Sequence, residues 1–206
     1  AGDPNTVRLY SFSVDGQLTG NPTTLTGNEL TKAKIATRSD FNGNNTTGVL
    51  IDQKLTDNNT AISGSLNLHV YNTQDNQLLL TDFTALAAGS DLATAPNGAL
   101  TPPLLTTADG KSFAISNDQS IVVALTVDSD GNLTNNIPNT DGFELILKDN
   151  NTSEITKASF SKDGTQTAQS VLNSAEIQEL SREARFDIDG DGYIIAKATE
   201  IIQQTP

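Results

Sequence analysis

Short apolar runs separated by Asp-Gly and Asn-Gly pairs constrain this chain more than any other feature. Asp15-Gly16, Asn42-Gly43, Asp109-Gly110, Asp130-Gly131, Asp141-Gly142 and Asp163-Gly164 recur along the first four-fifths of the sequence. Asp and Asn tolerate left-handed backbone conformations and Gly adopts them freely, so such pairs close hairpins between antiparallel strands. The intervening runs, 7–14, 48–51, 62–71, 77–83, 111–115, 120–127, 143–148 and 154–160, are short and rich in Val, Ile, Leu and Phe. In the third run Leu66, Leu68 and Val70 share one face at period two, which places His69 on the opposite face, toward solvent. No helical period competes before residue 160. The expectation is a mainly β chain whose residues 1–165 form an antiparallel, jelly-roll-like β-sandwich. Pro96, Pro102 and Pro103 mark a crossing between sheets or an edge cover, or else a linker between two smaller sandwiches.

A length of 206 residues accommodates one large β domain with a small appendage. Hydrophobic residues at 35% suffice for a core, and the runs above distribute them as strands require. A net charge of -13 repels phosphate backbones and anionic lipid, which argues against nucleic-acid binding and anionic membrane surfaces, and no stretch approaches the ~20 apolar residues of a membrane span, which argues against membrane insertion. With no Cys, the chain has neither a disulfide framework nor a thiolate chemistry. The opening Ala1-Gly2-Asp3-Pro4, in a chain without Met, reads as the mature end left by signal-peptide removal, and a trimmed end would look the same. The expected location is therefore secreted or cell surface.

The pattern changes after Gly164, so residues 166–206 are read as a helical segment. Asn173 followed by Glu176 is a capping signature, and Ile177, Leu180 and Ala184 lie on one helical face. A second short helix is expected over 193–204. Between the two lies Asp187-Ile188-Asp189-Gly190-Asp191-Gly192-Tyr193-Ile194. Three carboxylates so close together repel one another unless a cation offsets them; the alternative is a solvated acidic turn without metal.

This loop resembles the EF-hand family, and in its Asp-x-Asp-Gly-Asp-Gly form the dockerin-type single loops of bacterial extracellular proteins. The resemblance covers about residues 173 to 204. It implies a bound Ca2+, with Asp187, Asp189 and Asp191 as carboxylate ligands, Gly192 at the sharp turn and the Tyr193 carbonyl as a further ligand. It also implies that Ile194 packs the loop against the domain. The family's closing carboxylate place is taken by Ala198, and Glu200 is the nearest residue able to complete the shell. A dockerin carries two loops and this chain shows one, so cohesin binding does not follow.

Other oxygen-rich groups are weaker. Asp128, Asp130 and Asn132 with Asp141 could hold a second cation, but a hairpin turn explains them equally, and Asp40, Asn42 and Asn44 stand the same way. His69 has no Gly-x-Ser-x-Gly elbow to serve. The function expected is a non-catalytic, calcium-binding structural or adhesive protein, a subunit of a surface filament or layer that self-associates by strand addition through residues 7–14. The alternative is a carbohydrate- or scaffold-binding module of a secreted enzyme system, with polysaccharide or a surface protein as partner. A hydrolase built on paired carboxylates ranks behind both.

Overall fold

The fold, taken from a computed structural model, is described for residues 6–37, 39–41, 51–56, 62, 64–74, 77–82 and 104–194. It is mainly β, with every named sheet antiparallel. β1 (Thr6–Leu9) pairs with β2 (Thr23–Thr26), and α1 (Gly27–Thr37) follows. β3 (Ile51–Lys54), β4 (His69–Thr73) and β5 (Leu78–Thr81) form a three-stranded sheet in chain order. β6 (Gln119–Val127), β7 (Gly142–Asp149), β8 (Ile155–Ser161) and β9 (Gln166–Val171) form a four-stranded one, and α2 (Ser174–Ala184) comes last.

β7, an interior strand with β8, is the one around which the core is arranged. Phe143, Leu145 and Leu147 point to one face and join Ala124, Ala158 and Phe160 from the neighbouring strands with Leu68, Val70, Leu78 and Leu80 from β4, β5 and the approach to them. Ile146 points the other way, with Val123, Leu125 and Ile155, and meets Leu172, Ala184 and Ile188 from the C-terminal segment. Burial on both faces is why 143–147 reads as a nearly continuous apolar run. Its one charge, Glu144, is buried and paired with Lys157 at 3.0 Å. In β6 a register shift between Ile121 and Val123 switches which parity faces which core, and this accommodates the unbroken run Ile121 to Leu125.

The Asp-Gly pairs do what their chemistry implies at four sites. Ser13, Thr107, Asp128 and Ser161 each accept through their carbonyl from the Gly three residues on and donate to the carbonyl four residues on. Gly16, Gly110, Gly131 and Gly164 all have φ between 75° and 85°, where a side chain would be strained. Asp141-Gly142 is different: Gly142 belongs to β7, and a Cβ there would lie 2.6 Å from the Phe160 carbonyl oxygen. That Gly serves close strand approach, not a turn. Asn42-Gly43 lies outside the described residues.

Several expectations need correction. α1 stands within the stretch where no helix was expected. Glu29 in its first turn and Lys34 in its last suit the helix dipole, and Leu30 and Lys34 are buried one turn apart. Regular β structure continues through β9 to Val171, past residue 165, because a polar edge strand needs no apolar alternation. Residues 111–115 make an isolated bridge at Ser112 instead of a strand, although Phe113 is buried. Among the described residues only 69–71 of the 62–71 run is strand, and only 7–9 of the 7–14 run. His69 is 1% exposed, not solvent-facing, because β4 is covered on its second face by a cluster of Ile51, Tyr71, Leu79 and Leu104.

Candidate metal centre

The site begins with the helix that leads into it. Asn173 caps α2: its side chain accepts from the Ala175 and Glu176 N–H groups at 2.9 and 3.1 Å, and Glu176 accepts from the Asn173 N–H at 2.8 Å. Loss of such a reciprocal cap costs about 1 kcal/mol. Asn173→Ala is accordingly expected to lower the urea midpoint slightly without altering the denaturant slope. α2 lays Ala184 into the outer core with Ile177 and Leu180 packed beside it, the face expected from their spacing. Arg185, at φ 49°, ends the helix in the left-handed region, and the Arg185 and Phe186 N–H groups both donate to the Ser181 carbonyl.

The chain then turns tightly through the three aspartates. Asp187 accepts from the Gly190 N–H at 2.8 Å through one oxygen and from the Gly192 N–H at 2.8 Å through the other. Asp191 accepts from the Tyr193 N–H at 2.8 Å, and Asp189 from the Asp191 N–H at 3.4 Å. Gly190 and Gly192 hold φ of 78° and 88°, so both glycines are required by the backbone. One carboxylate oxygen from each of Asp187, Asp189 and Asp191 lies within 4.8 Å of the others, a spacing that a single cation could bridge. Each oxygen has two lone-pair sites, so a backbone bond leaves capacity for a ligand.

Electrostatics separates Asp187 from Asp189. Burial pushes the Asp187 carboxyl up, but the Gly192 and Gly190 N–H groups outweigh it and hold the group below the usual carboxylate range. Asp189 is raised by its burial and by the charges of Asp187 and Asp191, only partly offset by the Asp191 N–H.

Two contacts that spacing alone could not announce fix the loop to the sheet. Lys148, near the end of β7, donates to the Asp189 carbonyl at 2.8 Å. Ile188, between two aspartates, is 1% exposed in the outer core, and its N–H donates to the Ser181 hydroxyl at 3.3 Å. An apolar residue inside an acidic loop was the available signal for the second; nothing local marks the first. Ile188, not Ile194, does the anchoring: Ile194 is 43% exposed and Tyr193 46%. Glu200, Ala198 and the second helix expected over 193–204 fall at or beyond residue 195, outside the described residues, apart from Tyr193 and Ile194.

The weaker candidates resolve simply. Asp128 accepts from the Asp130 and Asn132 N–H groups at 3.0 and 2.9 Å and closes a hairpin. Asp40 lies 3.9 Å from Lys34, while Asn42 and Asn44 are outside the described residues. Among the described residues the Asp187, Asp189 and Asp191 group is the one metal-competent acidic cluster, and no helix is long and apolar enough to cross a membrane. Comparison of the chain with protein-family models, with curated proteins and with solved structures finds no match in any of the three.

Proposed function

We propose that this chain is a non-catalytic, secreted or cell-surface structural protein, a jelly-roll-like β-sandwich whose C-terminal helix-loop-helix binds Ca2+. The supporting observation is the loop: carboxylates at alternate positions, each held by backbone N–H groups, with oxygens converging within 4.8 Å. Hard oxygen donors in a flexible ring suit Ca2+ better than softer metals. Asp187, Asp189, Asp191 and the Tyr193 carbonyl are the proposed ligands, with Glu200 closing the shell. The sandwich is supported by the inner core, to which both larger sheets contribute side chains.

Assembly into a filament or layer is the second part of the proposal. Residues 6–26 fold as one long hairpin, closed at Asp15-Gly16 and bridged between Phe12 and Leu18. Leu9, Tyr10, Phe12, Val14 and Leu18 are all exposed along it. A two-stranded ribbon is marginal in water unless a third strand or a partner covers its apolar side chains, and strand addition supplies both. Sedimentation velocity and electron microscopy are expected to show concentration-dependent oligomers that Phe12→Ser reduces. Monomers alone, across concentration and Ca2+, would overturn the assembly reading. The exposed rings of Tyr10 and Phe12 also favour carbohydrate or scaffold binding as a second reading, which a glycan array and a pulldown address.

A further inference from the structure

We infer that His69 is an acid-sensitive latch: uncharged, it lets the outer face of β4 stay closed, and proton uptake there loosens the three-stranded sheet. His69 pairs with Thr81 of β5 and packs edge-on against Tyr71, with ring centroids 6.5 Å apart. Although the residue is almost wholly buried, neither ring nitrogen has a hydrogen-bond partner, and the Asn67 and Asp82 Oδ1 atoms nearby in the chain and sheet are also buried without one. Among the described residues, Tyr71 on the same face of β4 belongs to an apolar cluster with Ile51, Leu79 and Leu104.

A buried imidazolium needs two acceptors and a compensating charge. Among the described residues the charged groups that act on His69 are Lys54 of β3, which opposes its protonation, and Asp82 just after β5, which favours it. Burial is the largest influence, Lys54 adds to it, and together they outweigh Asp82 and hold the imidazole below its ordinary range. A group less basic folded than unfolded stabilises the fold fully above its unfolded value, about 6.5, and that contribution is lost as pH falls from there toward the folded value.

The chain has a single histidine, so its imidazole resonances identify themselves. Titration by NMR on the whole chain is expected to give a midpoint below that of an unstructured His peptide. Hydrogen exchange at the Val70 and Leu79 amides, corrected for intrinsic rates, should report opening that increases by up to about tenfold per pH unit in that window, the limit for one proton. His69→Phe should remove this increase. A midpoint at or above the peptide's, or the same pH dependence in His69→Phe, overturns the inference. The NMR titration decides it even if the variant fails to fold.

Discussion

Ca2+ added to ion-free protein is expected to raise the melting temperature by roughly 5–10 °C once free ion reaches about one hundred times Kd. A ligand bound only by the native state then contributes about 2.7 kcal/mol, and a chain of this size shifts by about 2–4 °C per kcal/mol. The ion would offset both the burial and the neighbouring charges that raise Asp189, so the gain should vanish in Asp187→Ala, which loses the carboxylate bridging Gly190 and Gly192. Asp187→Asn retains one of the two acceptors for the turn but removes charge, and should fold while binding weakly. Mg2+ should do far less, because it demands a smaller, nearly ideal octahedral shell. Differential scanning calorimetry with and without each ion checks all of this. An unmoved transition in the unsubstituted protein at millimolar Ca2+ would end the calcium reading.

Ile188→Ala is expected to cost about 2–5 kcal/mol, the range for truncating a buried aliphatic side chain to Ala. Among the described residues of the loop Ile188 is the one fully buried side chain, and it belongs to a cluster built from β6, β7, β8 and α2. Its removal leaves a hole between loop and sheet, so urea denaturation should show a lower midpoint even without ion. Calorimetric titration should show weaker Ca2+ binding as well, since the aspartates would no longer be held in register. Substituting the exposed Ile194 the same way should change stability little. Equal effects at the two positions would show that the loop is not docked through Ile188.

These two isoleucines illustrate how far the sequence could be read. The aspartate spacing and the Asn173 cap were legible because both depend on residues a few positions apart. β6, β7 and β8 were legible because their apolar runs face the core. β2, Thr23–Thr26, and β9, Gln166–Val171, were not, since they are polar strands whose existence depends on a partner strand. α1 carries no apolar stripe to reveal it. His69 was misplaced because alternation assumes one wet face, and β4 has none. The Lys148 bond to the Asp189 carbonyl spans 41 residues and could emerge only from the folded chain.

That bond also decides where a tensile load would enter the protein. The segment preceding the loop leaves the sheet at β9, an edge strand that could be peeled from β8 one pair at a time. Lys148 and Ile188 instead tie the loop to the middle of the sheet, on β7 and its neighbours. A pull applied beyond Tyr193 would therefore have to break the Lys148 bond and withdraw Ile188 from the outer core before it reached β9.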